Sequence, residues 1–481
     1  PMADSQAKQY FWIVISVAFA SFMARLNNYT VNISLPTIAQ FFGVSAGEVS
    51  RVVMSYLLII TSTLLLFGRL GDRIGLKKLF VAGYIIFVMG SLLCGMSRSI
   101  NVLVGFRCIQ GLGAAMLLAT SFAIVSKFIP SDRLGWAFGI TSTSSALGVA
   151  TGAPVGGLIT GYLSWHWVFF LNIPVGIVAI FIALRMIPDD SPVKSLDAQK
   201  RQKELFDTPG AIFSFVGLVA LLFAMNMGKK LGWASPVILL SIAAAVVFLS
   251  AFIIREKRCS APLLELSFFR NPAFTFALLA TFTAFMLIAG NAFLLPFYLQ
   301  IIKGLSAAQT GMVLLTYSLV YVFLSSPAGR LADKVNPTSL CTIAMISAAV
   351  CTFTFSWTLP LQGLAPAFGF LVWLGLSYVI FFSPNNTQVM RLAPPGSQGV
   401  ASGLFNTVTN LGMVFGVGAF EVIFSASTPA ITRGIGAPAA TLPREMLTGG
   451  FQNAYIFGGI LCVAGMIFSL LTGRKRKDSG S

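Results

Sequence analysis

Three ionisable residues lie inside long apolar stretches of this 481-residue chain: Arg25, Arg107 and Glu421. A charge in an apolar environment is costly, and proteins keep one there mainly to bind a charged group, to pair with another charge or to carry a proton. Together the three residues sum to one positive charge. They are the first candidates for recognition of a charged ligand and for proton transfer.

The stretch that follows Arg25 is unusually polar. It contains Asn27, Asn28, Tyr29, Thr30 and Asn32. So many polar side chains must face a cavity or another helix, because an apolar solvent offers them no hydrogen-bond partner. The stretch therefore either lines a path for a ligand or forms a structural hydrogen-bond network.

For each of Arg107, Glu421 and His166, more than one explanation remains open. Arg107 either acts at a functional centre or ties its guanidinium to backbone carbonyls. Glu421 either pairs with an arginine, carries a proton or lies at a membrane interface. His166, between two tryptophans, is either an interfacial anchor or a proton site, because histidine titrates near neutral pH.

The chain lacks the residue patterns of enzymes, metal sites and nucleotide-driven pumps. It contains no cluster of histidine and acidic residues, no serine nucleophile elbow and no phosphate-binding loop. Its six cysteines are scattered without metal-ligand spacing, and we expect them to serve packing. The sequence therefore predicts neither an enzyme nor a cofactor or metal site, and ATP is not expected to supply the energy.

Fourteen apolar runs must position these residues. With 56% hydrophobic and only 10% charged residues, the chain is too poor in charge to cover a water-soluble surface. A helix needs about 20 apolar residues to cross a bilayer, and the runs do not alternate as barrel strands do. The runs lie roughly at residues 11–36, 46–67, 79–96, 102–125, 134–163, 167–186, 208–227, 236–254, 273–299, 306–326, 340–361, 366–382, 399–424 and 453–471. The sequence therefore predicts an all-α, polytopic membrane protein.

The net charge of +17 is distributed by loop. Most of the 32 lysines and arginines fall in alternate loops, which is the bias expected when both termini are cytoplasmic. The basic tail at residues 474–477 is expected to contact anionic lipid headgroups. No basic patch is interleaved with aromatic residues, so nucleic acid is not expected as a partner.

A short motif occurs twice. Residues 68–74 read GRLGDRI and residues 329–335 read GRLADKV, and each copy follows an apolar run on the predicted cytoplasmic side. Parallel halves of this kind hold a substrate path between them. We expect two gating loops, with the candidate residues Gly68, Asp72, Arg73, Arg330 and Asp333. Either an ion pair there forms in one conformational state and breaks in another, or the basic residues only fix the topology.

The repeated motifs at residues 68–74 and 329–335 are further apart than six helices and their loops require. The additional residues match two middle helices that connect the two halves. We predict an N-terminal six-helix bundle over residues 1–187, a two-helix insert with cytoplasmic loops over 188–271, and a C-terminal six-helix bundle over 272–481. An outer loop near 425–450 is expected to form a small lid.

Several ordered motifs resemble those of the major facilitator superfamily. Residues 68–78 resemble its signature loop, and residues 106–113 (FRCIQGLG) resemble its fourth-helix signature. Residues 148–157 (GVATGAPVGG) resemble the fifth-helix signature of its antiporters. Residues 32–36 and 165–176 look like marks of the fourteen-helix drug:proton antiporter branch. The resemblance covers nearly the whole chain.

The resemblance implies two six-helix bundles plus two extra central helices, alternating access by rocking of the bundles, and export driven by the proton gradient. It also implies a part in proton coupling for Arg107. In the fifth helix it points to Gly148, Gly152, Pro154 and Gly156. Small residues let helices approach closely and proline permits a bend, so this helix either seals and shears between the bundles or is simply tightly packed.

The sequence departs from this branch where the cargo would be recognised. Many relatives carry an aspartate in the first helix, where this chain has Asn27 beside Arg25, and His166 stands where an arginine is usual. A positive cavity disfavours organic cations and favours anionic, zwitterionic or neutral amphipathic substrates. The proton would then be carried by Glu421, Asp72 or His166.

The expected function is multidrug efflux of such compounds by a proton-coupled transporter. We expect a monomer in a prokaryotic inner membrane, with membrane lipids and protons as its other partners. The alternative is a lipid, organic-anion or metabolite carrier without a role in drug efflux.

Overall fold

The computed structural model describes residues 2–130, 133–189, 208–259, 266–393, 398–427 and 444–478. Within these ranges the chain contains fifteen α-helices and no β-strand. The helices are α1 (Met2–Phe42), α2 (Ala46–Ile74), α3 (Leu76–Gly95), α4 (Ile100–Phe128), α5 (Leu134–Tyr162), α6 (His166–Phe170), α7 (Asn172–Met186), α8 (Thr208–Leu231), α9 (Pro236–Glu256), α10 (Pro272–Phe297), α11 (Ala307–Lys334), α12 (Pro337–Thr358), α13 (Ala365–Leu392), α14 (Gln398–Ala426) and α15 (Arg444–Asp478). A 3-10 helix, Leu266–Arg270, precedes α10, and a π-helical turn, Tyr298–Ile302, follows it.

Every predicted apolar run coincides with one of these helices, and the sixth run is divided between α6 and α7. In the described part of the chain, eleven helical segments are long and apolar enough to cross a membrane. The prediction of an all-α, multi-pass membrane protein is therefore confirmed. The predicted outer lid at 425–450 falls mostly outside the described residues, and α15 begins within that range.

Asparagine side chains fix the starts of two helices in the second half of the chain. The Asn271 side chain accepts a hydrogen bond from the Ala273 N–H at 3.1 Å, and the Asn336 side chain accepts one from the Thr338 N–H at 3.0 Å. A proline follows each asparagine at the first helical position, where its missing N–H leaves no bond unmade. These caps define where α10 and α12 begin.

The two copies of the repeated motif are helical, which corrects the prediction that they are loops. Residues 68–73 form the last turns of α2, and residues 329–333 form the last turns of α11. Arginine, leucine and lysine favour helix, so the helix continues after the apolar run has ended. The reversal after the first copy falls at Gly75, whose φ of 102° lies in the region that favours glycine.

The chain forms two compact units. Unit 1 comprises residues 1–31, 51–152 and 163–263, and unit 2 comprises residues 32–50, 153–162 and 264–481. The two middle helices, α8 and α9, belong to the span of unit 1 and pack chiefly against each other. The division predicted at residues 187 and 271 describes the internal repeat, and it stays a prediction.

Glycines bring α3 and α4 of unit 1 into close contact. A methyl group on Gly113 would lie 2.7 Å from the carbonyl oxygen of Gly83 and would collide with the backbone of Phe87. A methyl group on Gly90 would lie 2.7 Å from the Cα atom of Gln110. The missing side chains let the two backbones touch, which is how helices in lipid gain packing energy.

We expect Gly113→Ala to destabilise the protein, because the added methyl group would push α4 away from α3. Overpacking of this kind costs about 1–3 kcal/mol. Gly105→Ala on the same helix is the matched control, since no atom lies within 4 Å of the position its methyl group would take. Thermal unfolding in detergent should give a lower Tm for Gly113→Ala than for Gly105→Ala, and equal Tm values would contradict this account of the contact.

Candidate functional site

A network of buried polar side chains crosses unit 1, with Arg107 of α4 at its centre. Arg107 is 0% exposed, and its Nε donates a hydrogen bond to the carbonyl oxygen of Val52 on α2 at 3.0 Å. Its guanidinium carbon lies 4.0 Å from the ring centroid of Tyr56, one turn further along α2, and 5.9 Å from that of Phe169 on α6. The faces of these rings stabilise the positive charge.

Gln110 extends the network to α3 and α1. It lies three residues after Arg107, so both side chains are on one face of α4. Its Oε1 accepts a hydrogen bond from Arg107 Nη1 at 2.5 Å. Its Nε2 donates to Ser91 Oγ on α3 at 2.7 Å and to Asn27 Oδ1 on α1 at 3.2 Å.

Asn172 joins the network from α7. Its Nδ2 donates to Asn27 Oδ1 at 3.1 Å, so the carbonyl oxygen of Asn27 receives one amide donor from Asn172 and a second from Gln110. All three amide side chains are buried. The network therefore links α1, α2, α3, α4 and α7, and it has the character of the structural alternative predicted for the polar stretch after Arg25.

The network contains a positive charge and no negative one. In the described part of the chain no ion pair joins Arg107 to an acidic side chain, and its partners there are a backbone carbonyl, an amide oxygen and two aromatic rings. An ion pair does occur elsewhere in unit 1, between Lys77 and Asp189 at 3.2 Å. Arginine stays protonated in proteins, so the charge of this network is permanent.

Arg25 is half-buried and lies where α1 meets α5. A methyl group on Gly148 of α5 would lie 2.6 Å from the carbonyl oxygen of Phe22 and 3.1 Å from Cβ of Arg25. A methyl group on Gly152 would lie 2.5 Å from Cβ of Tyr29. Gly148 and Gly152 thus permit close packing of α5 against the polar stretch of α1.

The rest of α5 packs within unit 2. A methyl group on Gly157 would lie 2.5 Å from the carbonyl oxygen of Ala307 on α11, and one on Gly311 would lie 3.2 Å from Cα of Pro154. Gly156 is buried in the same helix. The predicted antiporter-type residues therefore provide close helix contacts, and an additional sealing role stays a prediction.

Asn28 and Asn32 lie one turn apart on α1. Asn28 is half-buried and Asn32 is buried, and the Oδ1 atom of each has no hydrogen-bond partner among the described residues. Beside Asn32, the carbonyl oxygen of Ile33 accepts a hydrogen bond from Gln300 Nε2 of the π-helical turn at 3.1 Å, within unit 2. Unlike Asn27, these two residues keep an acceptor oxygen that no described residue engages.

Glu421 belongs to unit 2 and lies apart in sequence from the Arg107 network. Its side chain is buried, and its Oε1 accepts a hydrogen bond from Ser425 Oγ one turn later on α14 at 2.6 Å. The same oxygen lies against Gly47 in the first turn of α2, where no side chain intervenes. The N-terminus of a helix carries partial positive charge, so a carboxylate is favoured at this position.

The remaining candidates are only partly described. His166 stacks on Trp165 with ring centroids 3.8 Å apart, and both alternatives for it, interfacial anchor and proton site, stay predictions. No atom lies within 4 Å of the position a Gly68 methyl group would take, and Arg73 is exposed. The side chains of Asp72, Arg330 and Asp333 lie outside the described set, so the gating role stays a prediction.

Sequence reasoning missed Gln110, Asn172, Tyr56 and Ser91 as members of the network. A signal existed for Gln110, because a glutamine three residues after a buried arginine shares its helix face. Asn172 falls within residues 165–176, which resemble a motif of the antiporter branch but do not indicate its partners. Nothing in the sequence showed that the oxygen of Asn27 would receive both amides, since this depends on the packing of three helices.

We expect Arg107→Lys to impair the protein although it keeps the charge. An ammonium group cannot reach Val52 and Gln110 simultaneously while lying flat over Tyr56. Transport by purified protein in liposomes should fall about tenfold or more, equivalent to a loss of at least about 1.4 kcal/mol. The exposed Arg98→Lys is the matched control and should behave as wild type; equal activity of the two variants would contradict a geometric role for Arg107.

A model of the Major Facilitator Superfamily matches residues 17–417 of the chain. The riboflavin transporter RibZ of Clostridioides difficile (strain 630) is 33% identical over 429 residues, which cover 87% of this chain and 89% of that protein. The multidrug export protein EmrB of Escherichia coli (strain K12) is 29% identical over 411 residues, covering 84% of this chain and 78% of that protein.

Other similar proteins cover almost the entire chain. The lincomycin resistance protein LmrB of Listeria monocytogenes serovar 1/2a is 28% identical over 476 residues, covering 97% of each protein. Among solved structures, a bacterial homologue of the human lysosomal transporter Spinster has a TM-score of 0.68 at 15% identity and covers 97% of each chain. At that level of identity the likeness concerns the fold.

Proposed function

Since the chain belongs to the Major Facilitator Superfamily, we propose that it is a proton-coupled exporter of amphipathic small molecules that carry no net positive charge. Its membership makes it a multi-pass membrane transporter and not an enzyme, and the predicted fold of the family is confirmed. The substrate class, the coupling ion and the direction of transport are the content of the proposal.

The single observation that carries the substrate class is the uncompensated guanidinium of Arg107. Its partners among the described residues are neutral. The resemblance to the drug:proton antiporter branch implies a carboxylate at the place of Asn27, where this chain has a neutral amide. A fixed positive charge in a medium of low dielectric constant repels organic cations and attracts anions over several ångströms. Half-buried Arg25 on the same helix as Asn27 adds to this potential.

Export of drug-like compounds is supported by relatives named for that activity. EmrB is named a multidrug export protein and LmrB a lincomycin resistance protein, and both align with most of this chain. For the coupling proton we propose Glu421, because its carboxyl group is buried and its hydrogen-bond partner, Ser425, is neutral. Asp72 and His166 remain the other candidates.

A second candidate function is a carrier of metabolites, organic anions or lipids. The relative that favours it is the riboflavin transporter RibZ, which is 33% identical to this chain. The amide-rich stretch of α1, where the side-chain oxygens of Asn28 and Asn32 meet no donor from the described residues, suits a polar and uncharged compound. Uptake or export of riboflavin without any dependence on a proton gradient would favour this function.

We further propose a bacterial inner membrane as the location, with both termini cytoplasmic and the basic tail near anionic lipids. The positive-inside distribution of lysine and arginine supports this orientation. A monomer suffices for this function, because the two halves of one chain provide the substrate path.

The test is substrate-induced proton flux in proteoliposomes with a pH-sensitive dye inside. Anionic, zwitterionic and neutral amphipaths should release protons from wild-type vesicles, whereas ethidium and quaternary ammonium compounds should not. We expect Glu421→Gln to abolish the proton flux, because the amide cannot be protonated, and Arg25→Ala to lower transport of anions by about tenfold.

Glu445→Gln is the matched control for Glu421, since Glu445 is an exposed carboxylate at the start of α15. It should leave proton flux unchanged. Failure of every amphipath to move protons would overturn the antiporter proposal. Transport of ethidium that depends on Glu421, or anion transport unaffected by Arg25→Ala, would overturn the proposed substrate class.

A further inference from the structure

Three buried polar atoms of the Arg107 network make no well-formed hydrogen bond to a described residue: Arg107 Nη2, Asn27 Nδ2 and Tyr56 Oη. They come from three helices of unit 1, and all three side chains are at most 1% exposed. The side chains of Asn27 and Tyr56 lie near enough to interact with each other. Leaving a buried donor without an acceptor is unfavourable. Even with Asn27 facing Tyr56, the Tyr56 hydroxyl and Arg107 Nη2 still lack an acceptor among the described residues, which indicates a missing partner.

The chemistry of the missing partner follows from the direction of the hydrogen bonds. A guanidinium only donates, so Gln110 must turn its oxygen toward Arg107 and its nitrogen toward Asn27. Asn27 must then present its oxygen to Gln110 and to Asn172, which also donates. The Asn27 nitrogen is therefore left as a second donor, and rotating its amide would oppose donors to donors.

Two of the three unpartnered atoms are thus nitrogen donors, and the third, the Tyr56 hydroxyl, can also donate. A partner for them must be a hydrogen-bond acceptor. The guanidinium lies over the ring of Tyr56 at 4.0 Å and has no acidic partner among the described residues, so a negative acceptor is favoured over a neutral one.

We propose that Arg107, Asn27 and Tyr56 form a binding site for a compact, negatively polarised hydrogen-bond acceptor. The occupant is either a small inorganic anion of the size of chloride or an acceptor oxygen of the transported molecule. Both would satisfy the same donors and compensate the same charge. If the occupant is an oxygen of the transported molecule, this proposal rests on the proposed function. If the occupant is an inorganic anion, it does not.

The first experiment measures anion binding without any substrate. The purified transporter in detergent is unfolded thermally while sodium gluconate is replaced by sodium chloride at constant ionic strength. Saturable binding should raise the Tm by about 2–4 °C. In crystals grown with bromide, an anomalous peak should lie within hydrogen-bond distance of Arg107 Nη2.

Two variants test the site from opposite sides. Arg107→Gln removes the charge, so the chloride response should disappear. Asn27→Asp keeps one oxygen for Gln110 and Asn172 and places the other, negatively charged, where the anion would be. Its Tm should therefore be insensitive to chloride and should not fall in gluconate.

A matched control comes from unit 2. Asn385 is a buried asparagine on α13 whose Nδ2 donates to Thr281 Oγ1 at 2.6 Å. Asn385→Asp introduces the same chemical change without touching the Arg107 network. It should keep the wild-type chloride response, whatever its own Tm.

The second experiment identifies a substrate source, with riboflavin as the probe in gluconate buffer. If an oxygen of the transported molecule occupies the site, riboflavin should raise the Tm of wild type, chloride should compete with it, and Arg107→Gln should abolish the shift. If only chloride raises the Tm of wild type and not that of Arg107→Gln, the site is assigned to the ion. If only riboflavin does so, the site is assigned to the substrate.

The proposal is overturned if neither probe shifts the wild-type Tm, as expected if ordered water fills the site. It is equally overturned if the shift persists in both Asn27→Asp and Tyr56→Phe. These two variants decide the matter if Arg107→Gln fails to fold. Because the readout is binding, its failure leaves the proton-flux test of the proposed function unaffected.

Discussion

A guanidinium can donate hydrogen bonds but cannot accept them, and much of unit 1 is arranged to meet this constraint. Arg107 is buried and requires acceptors from the protein, and it obtains them from the Val52 carbonyl and the Gln110 side chain. Once Gln110 is oriented, the orientation of Asn27 and Asn172 follows. A single charge thereby fixes the contacts among five helices.

These hydrogen bonds depend on how closely the helices approach, and glycine controls that distance. Gly90 faces the backbone of Gln110, so α3 comes near enough for Ser91 to accept a hydrogen bond from the Gln110 side chain. Gly148 and Gly152 do the same between α5 and the polar stretch of α1. In unit 1 the hydrogen bonds between buried polar side chains therefore depend on the close helix packing that the glycines allow.

The helices were predictable from sequence because their cause is local: a bilayer requires a minimum length of apolar residues, and each predicted run coincides with a helix. The ends were less predictable, since residues 68–73 remain helical after their apolar run has ended. The candidate charges were found because charge in lipid is rare. Their partners were not, because hydrogen bonds between Asn27, Gln110 and Asn172 depend on three helices that are far apart in sequence. Glu421 was recognised as a buried acid, but its place against the start of α2 is a tertiary feature.

The orientation of the Asn27 amide has a consequence for how such transporters diversify. Asparagine and aspartate codons differ by a single base, and both side chains present an oxygen where Gln110 and Asn172 donate. A lineage can therefore neutralise the positive charge of this network in one mutational step without rebuilding the surrounding helices. Closely related carriers that differ in charge preference are then expected to arise repeatedly, with residue 27 as the point at which their substrate ranges diverge.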